Sequence, residues 1–287
     1  AGASGTVAIG KSAAAALQTG AGHVAIGYKA LLVEEDGKHS TAVGYESLAA
    51  QRHTSDSVAG NVAMGYQSGK AITAGGYNVA IGALSMTNAT LCEQNVAIGY
   101  GSMDAADGTE EQNVAIGMHS MGAVDEGGGS ANLNVAIGAG AMSGGTATTF
   151  LGNVAIGGDA LNATGGHNQT GTIAIGNDAL GALTSGGSNI AVGYQAGALT
   201  TTGTGNTYIG YQVADATHVD ASANTVVGSG AFGGTHTGTV CHYNTAVGAS
   251  ALAGAMNGAD NSTAIGKHAL LAVTTGADNT AVGANAG

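Results

Sequence analysis

The pentapeptide Asn95-Val96-Ala97-Ile98-Gly99 decides the fold of this chain, because it returns along the whole sequence. Identical copies start at Asn113, Asn134 and Asn153 and end at Gly117, Gly138 and Gly157. With looser copies there are sixteen, spaced by 17 to 21 residues, which close at Gly10, Gly27, Gly44, Gly65, Gly82, Gly99, Gly117, Gly138, Gly157, Gly176, Gly193, Gly210, Gly228, Gly248, Gly266 and Gly283. A fixed period this short predicts a repeat architecture.

The copies share a pattern that indicates one short strand in each repeat. Three residues before the glycine the residue is always β-branched, one residue before it is Ile, Val or Met, and between them stands Ala in fourteen copies. β-Branched residues at alternate positions suit a pleated strand. Four residues before the glycine, Asn is present in eleven copies. Asn tolerates the left-handed region and so suits a corner, and stacked Asn side chains can also hydrogen-bond to one another in a ladder. We predict an all-β fold, a parallel β-solenoid of about sixteen coils of 17 to 21 residues.

Both faces of the repeated strand are apolar, which predicts that both are buried. We expect Val and Ile to point inward and Ala to point outward, against another copy of the chain. The reverse orientation, with Ala lining a very narrow interior, is the alternative. A run of threonines in five successive coils favours neither orientation: Thr207, Thr225, Thr245, Thr263 and Thr280.

The Asn-x-Ala-Ile-Gly-x-x-Ala/Ser pattern resembles the head repeats of trimeric autotransporter adhesins. It is also similar to repeats of phage tail-fibre proteins, a form that residues 244–252 match as Asn-Thr-Ala-Val-Gly-Ala-Ser-Ala-Leu. The resemblance covers all sixteen copies and implies a left-handed β-roll, assembled as a homotrimer, at a cell surface or in a virion tail fibre. The adhesin repeat is usually shorter, and no coiled-coil stalk or membrane anchor is present, so the general fibre interpretation is favoured.

Length and composition fit one elongated domain over residues 1–287. Sixteen coils at about 4.8 Å each would form a rod of roughly 75 Å. The absence of proline suits an unbroken ladder, and no run approaches the roughly 20 apolar residues of a membrane span. Neither end carries a cap in the sequence, so we expect a segment of a longer fibre or end-to-end stacking into a filament.

The charge is uneven. Residues 1–70 hold five bases (Lys11, Lys29, Lys38, Arg52 and Lys70) and five acids, whereas residues 71–266 hold twelve acids and no base. Such a chain should repel nucleic acid. Calcium binding by the acidic loops is an alternative to a solvated acidic surface, but no calcium-binding loop motif occurs. The acids concerned are Asp104, Asp107, Glu110, Glu111, Asp125, Glu126, Asp215 and Asp220.

The sequence favours neither a metal centre nor catalysis. Cys92 and Cys241 are too far apart for a bridge within one solenoid, so we expect free or buried thiols, with cross-chain pairing as the alternative. His236, Cys241 and His242 lack a second ligand pair at zinc-finger spacing. No catalytic motif is present, and we expect no enzyme and no cofactor.

Six tyrosines directly follow a signature glycine and predict short aromatic ladders: Tyr28, Tyr45, Tyr66, Tyr100, Tyr194 and Tyr211. We favour a stacking role over a sugar-binding strip. The leading functional hypothesis is an extracellular structural fibre with an adhesive role. The alternatives are a receptor- or glycan-binding module with specificity in longer loops (32–39, 51–60 and 124–133) and an ice-binding threonine face.

Overall fold

The computed structural model describes residues 4–55, 57–106, 110–123, 130–144, 149–163, 168–216, 220–234, 241–254 and 257–287. These residues form no helix and build a parallel β-solenoid, as the sequence predicts. The chain divides into two compact units, Ala1–Leu151 and Gly152–Gly287, which are treated separately below.

Unit 1 contains ten strands. They are β1 (Val7–Ile9), β2 (Val24–Ile26), β3 (Thr41–Val43), β4 (Val62–Met64), β5 (Val79–Ile81), β6 (Val96–Ile98), β7 (Val114–Ile116), β8 (Ser130–Asn132), β9 (Val135–Ile137) and β10 (Thr149–Leu151). Eight of them, all but β8 and β10, are the signature strands and pair in chain order, parallel and in register. Strands β8 and β10 lie in the variable halves of their coils and pair with each other.

Unit 2 contains nine strands. They are β11 (Val154–Ile156), β12 (Gln169–Thr170), β13 (Ile173–Ile175), β14 (Ile190–Val192), β15 (Thr207–Ile209), β16 (Thr225–Val227), β17 (Thr245–Val247), β18 (Thr263–Ile265) and β19 (Thr280–Val282). All but β12 are signature strands, again parallel and in register. Every signature copy therefore forms a strand, although with three residues rather than the five of the repeated motif.

The expected orientation of the strand faces is wrong. The central alanine points into the solenoid, and Ala97, Ala115 and Ala155 are fully buried, while the flanking Val and Ile point outward and remain half-exposed. Across the narrow interior lies the buried side chain four residues after the glycine, such as Leu48, Met103 or Leu161. The coil is so thin that fourteen of the sixteen coils carry only a methyl group, that of alanine, at the centre of the strand.

The one aromatic residue at this central position shows how tightly the interior is filled. Tyr208 replaces alanine in β15 and is fully buried. The neighbouring coil has Gly197 where most coils have Leu or Met, and a Cβ at Gly197 would lie 2.7 Å from Cδ2 of the Tyr208 ring. A large residue on one side of the interior is thus matched by a missing side chain on the other.

The buried asparagines form a ladder, one of the two roles that the sequence suggests for them. In unit 1, Asn95 Nδ2 donates to Asn78 Oδ1 (3.2 Å) and, across the coil, to the carbonyl of Glu110 (2.7 Å). Asn95 Oδ1 accepts from the Asn113 backbone N–H (2.9 Å) and from Asn113 Nδ2 (3.0 Å). Each amide thus satisfies polar groups of three coils without water.

The corner role assigned to asparagine is wrong by one position. No signature asparagine has a positive φ; the residue directly before it does, as at Tyr77 (φ 59°), Gln94 (φ 59°) and Leu133 (φ 61°). The asparagine itself stays extended so that its side chain points inward. His23 performs the same task in an early coil: its Nδ1 accepts from the Ser40 backbone N–H (3.1 Å), and its Nε2 contacts the Gly37 carbonyl (2.6 Å).

The ladder of unit 2 is interrupted at Thr172. Asn153 Oδ1 still accepts from the Thr172 backbone N–H (2.9 Å), but the buried Thr172 hydroxyl has no hydrogen-bond partner. Further along, Asn206 repeats the full pattern, donating to Asn189 Oδ1 (3.1 Å) and the Ala221 carbonyl (2.7 Å).

Replacing Thr172 by Asn should therefore complete the ladder and raise the free energy of unfolding by about 1 kcal/mol, the usual net value of a buried hydrogen bond. The reciprocal change, Asn206→Thr, should lower it by about 3 kcal/mol, because Asn206 Nδ2 loses its two donations and Asn224 loses the two bonds that it donates to Asn206 Oδ1. Denaturant melts of both variants measure the effect. Equal destabilisation by the two changes would contradict the role given to the ladder.

The signature glycine is required by a close approach between coils. All sixteen have φ between 126° and 146°, a region almost closed to other residues. A Cβ on Gly176 would lie 2.5 Å from the carbonyl carbon of Gly193 in the next coil. Gly171, five residues earlier, has φ 63° and nothing within 4 Å of its Cβ position.

We expect Gly176→Ala to cost about 3 kcal/mol of stability, from backbone strain together with overlap against a rigid neighbour. Gly171→Ala should cost only about 1 kcal/mol, the strain of the left-handed conformation. Thermal melts followed by circular dichroism compare the two in the same coil. Similar losses would show that the contact with Gly193 is not the determining feature.

Candidate functional site

The outer faces of the signature strands form an extended apolar surface in unit 1. In unit 1 these outer columns consist of the residues three and one before each glycine, aligned by strand register as Val79, Val96 and Val114, and as Ile81, Ile98 and Ile116. Of the sixteen residues in the unit 1 columns only Thr41 is polar, and all are half-exposed or exposed. Eight strands at about 4.8 Å give columns about 34 Å long.

The outer columns of unit 2 are more polar. Thr207, Thr225, Thr245, Thr263 and Thr280 are in register on consecutive strands and face outward, beside aliphatic residues such as Ile209 and Ile265. The outward orientation is what the ice-binding hypothesis requires, but it does not by itself favour that hypothesis over any other partner.

The residues of the repeat thus divide by the direction of their side chains. Val96 and Ile98 face outward, whereas Asn95, Ala97, Asn113, Asn134 and Asn153 are buried and serve the interior. Gly99, Gly117, Gly138 and Gly157 all take φ near 135°, which is the turn after the strand. Only the outward pair is accessible to a partner.

Two stacked tyrosine ladders border the strand faces, as the sequence predicts. In unit 1 the ring centroids of Tyr28 and Tyr45 are 5.1 Å apart and those of Tyr45 and Tyr66 5.5 Å apart, with the planes within 23° of parallel. In unit 2, Tyr194 and Tyr211 stack at 5.4 Å. Tyr100 instead meets His119 edge-on at 5.2 Å. Tyr66 and Tyr211 are about half exposed, so the ladders are accessible as well as stacked.

The residue after each ladder tyrosine forms a polar row beside it. In unit 1, Glu46 Oε2 accepts from Lys70 Nζ (2.9 Å) and Gln67 Nε2 (2.9 Å), and Lys29 Nζ lies 5.2 Å from the Tyr28 ring centroid. The hydrogen bond from Lys70, and then that from Gln67, lower the pKa of Glu46. In unit 2 the row has no cation: Gln212 donates to Gln195, and Gln195 donates to Asp178.

A buried carboxylate in unit 1 was not predicted. The segments 32–39 and 51–60, expected to be surface excursions, place Glu34 and Gln51 fully inside. Glu34 Oε1 accepts from the backbone N–H groups of Glu35, Gly37 and His53, and Oε2 accepts from Gln51 Nε2 (2.7 Å) and pairs with His53 Nδ1 (3.0 Å). The signal in the sequence was weak: Glu34 and His53 stand in successive coils, 19 residues apart.

The electrostatics of this cluster follow from its hydrogen bonds. Burial raises the pKa of Glu34, but the bonds from His53, Gln51 and the backbone outweigh it and hold that pKa at about 2. The bond to Glu34 raises the pKa of His53, against a smaller opposing effect of burial. Glu34 and His53 therefore form an ion pair between two coils.

Both cysteines are fully buried, as expected, and neither forms a disulfide within the chain, whereas the alternative of cross-chain pairing stays a prediction. Cys92 Sγ donates to Glu110 Oε2 (2.7 Å), and burial raises the pKa of both thiols. In the described part of the chain no three His, Cys, Asp or Glu side chains converge as metal ligands. Asp107, Asp125, Glu126 and His236, and most of the loop 124–133, lie outside that part.

In comparisons with known proteins, no family model, no curated protein and no solved structure matches the chain. Within the ranges described above, no helix is long and apolar enough to cross a membrane.

The Glu34–His53 pair predicts a pH dependence of unit 1. The contribution of Glu34 is complete above its ordinary pKa of 4.5 and is lost as the pH falls toward about 2. The contribution of His53 is complete below its ordinary pKa of 6.5 and is lost as the pH rises through its raised pKa in the folded protein. The midpoint of thermal unfolding should be highest between pH 4.5 and 6.5 and fall above it.

His53→Gln should abolish the decrease in the midpoint of thermal unfolding above pH 6.5, as measured by calorimetry across the pH range. His39→Gln is the control, because His39 is exposed and Gln occupies the equivalent corner in other coils, at Gln94 and Gln112. If the unfolding midpoint of His53→Gln still decreased above pH 6.5 as in the wild type, another group would be responsible for the pH dependence.

Proposed function

We propose that this chain is a structural fibre protein whose solenoid associates with further copies of itself through the outer columns. The observation that carries the proposal is the apolar face of unit 1, broken only by Thr41, where Val96, Ile98 and their equivalents remain partly exposed in the single chain. A contiguous exposed apolar surface of this extent is uncommon on monomers and marks a contact site.

A second copy of the same chain is the partner that fits this face best. The outer columns repeat at the spacing of the strands, about 4.8 Å, and a surface with the same repeat can pack against them layer by layer. A globular partner offers no such periodic match. Association around an axis parallel to the stack, as in the homotrimers of the resembling adhesins and tail fibres, would place the columns of all copies side by side.

The adhesive and extracellular role is the next part of the proposal. It is supported by the resemblance of the repeat to those of adhesin heads and tail fibres. A second candidate, a receptor- or glycan-binding module, is favoured by the tyrosine ladders, whose exposed rings stand in polar surroundings. End-to-end assembly into filaments and an ice-binding role for the threonines stay predictions.

Oligomeric mass tests the proposal. Light scattering after size exclusion should give a trimeric mass for the wild type and a smaller mass for the triple variant Ile81→Lys, Ile98→Lys and Ile116→Lys, because three charges would be buried without partners. Met118→Lys is the control, since Met118 is exposed (55%) but lies outside the outer columns.

Circular dichroism establishes that each variant keeps the solenoid. A wild-type chain that stays monomeric at its highest soluble concentration would contradict the proposal, and so would an equal effect of Met118→Lys and the triple variant. Electron microscopy of the same sample distinguishes discrete rods from filaments.

A further inference from the structure

Two adjoining hollows on unit 1 form an elongated groove next to the first tyrosine ladder. The first, of about 360 Å³, is lined by Lys29, Leu32, Val33, Glu46, Ala50 and Lys70 among others. The second, of about 370 Å³, is lined by Ala50, Gln67, Lys70, Ala71, Thr87 and Asn88. Both share Ala50 and Lys70, and we call them together the basic groove.

The groove runs along the stack of coils rather than around one coil. Lys29, Glu46, Lys70 and Thr87 belong to four successive repeats, so the groove spans three layer steps, or about 14 Å. Its shape therefore suits an extended chain of small units better than a compact ligand.

The lining combines an apolar floor with cations at the rim. Leu32, Val33 and Ala50 provide the floor, and Lys29 and Lys70 provide two ammonium groups against the single carboxylate of Glu46. This local excess of positive charge stands in a chain of net charge −12, with no base between residues 71 and 266. An anionic ligand is repelled by most of the surface and attracted to this part of it.

Tyrosines adjoin the residues that line the groove, although the lining of the two hollows itself contains no tyrosine. Tyr45 and Tyr66 directly precede Glu46 and Gln67, which contact each other and Lys70, and both rings are exposed. Aromatic side chains with one solvent-exposed edge are common contact residues for ligands that are partly apolar and partly polar. A sugar ring has such a composition, with C–H groups on its faces and hydroxyls at its edge.

We propose that the basic groove binds an acidic oligosaccharide, with sugar carboxylates paired to Lys29 and Lys70 and the sugar rings against the apolar floor and the Tyr45–Tyr66 edge. The proposal deepens the glycan-binding candidate and is independent of self-association. Glu46 competes with the ligand for Lys70 in the free protein and limits the affinity.

The unit 2 ladder supplies a matched comparison within the same chain. Tyr194 and Tyr211 stack as the unit 1 tyrosines do, but the neighbouring row holds Asp178, Gln195 and Gln212 and no cation. Stacked tyrosines without lysines should not select an acidic sugar, so binding should depend on unit 1 alone.

Isothermal titration calorimetry of the full chain with an oligogalacturonate tests the proposal, with the methyl ester of the same oligomer as the uncharged ligand. Sialyllactose against lactose forms a second arm and distinguishes a uronic acid from a sialic acid. We expect binding of the acid in at least one arm, weaker binding of its uncharged partner, and weakening by salt.

Lys70→Gln and Lys29→Gln should each weaken binding roughly tenfold, the loss of one charged hydrogen bond. Glu46→Gln should strengthen it, an opposite sign that general damage to the fold would not produce. Lys11→Gln, an exposed lysine outside the groove, and Tyr194→Ser should leave the affinity unchanged.

Three outcomes would overturn the proposal: no binding of either acid by a chain with an intact solenoid spectrum, equal binding of acid and uncharged ligand, or equal effects of Lys11→Gln and Lys70→Gln. The oligomeric mass of each variant is measured in parallel. A variant that loses ligand binding but keeps its oligomeric mass is defective in the groove. A variant that loses oligomeric mass but keeps ligand binding is defective in the outer columns.

Discussion

The close stacking of thin coils is the constraint on which the rest of this structure depends. Successive coils approach until the carbonyl of one signature glycine occupies the space that a side chain on the previous glycine would need. The interior of most coils is equally narrow, with a methyl group on one wall and a Leu or Met on the other. Little room remains for water, so the buried polar groups must satisfy one another, and the asparagine ladder does this coil by coil.

A thin coil has a consequence for the outside. Because alanine fills the centre of the strand in fourteen of the sixteen coils, the larger β-branched residues on either side of it point outward. These outward residues favour strand formation, but they leave an apolar surface on the outside of unit 1. That surface is most simply covered by another surface of the same period, which is why the fold itself favours self-association over a globular partner.

The sequence was sufficient for the fold but not for the direction of the strand faces. The repeat length, the strand position, the absence of helix, the asparagine ladder and the tyrosine stacking all follow from comparing the sixteen copies with one another. Alternation of apolar residues with period two cannot by itself say which phase is inside when both phases are apolar. Size was the missing criterion, since a coil with a variable half of only about ten residues encloses a core that admits Ala97 but not Ile98. The Glu34–His53 cluster escaped prediction for another reason: it lies in the variable halves, where the sixteen copies offer no common pattern.

Positions that the stacking leaves free are where this chain differs from a uniform fibre. The strand, the asparagine and the glycine are fixed by the interior, so they cannot distinguish one part of the chain from another. The residues one, two and five positions after the glycine face solvent and vary, and in the first coils they bring together Tyr45, Glu46 and Lys70. The equivalent positions of unit 2 hold Tyr194, Gln195 and Asp215. An identical scaffold with a different charge at the same place is what selective recognition on a repetitive fibre requires, because the backbone holds the contact groups at fixed spacing and the side chains alone set the specificity.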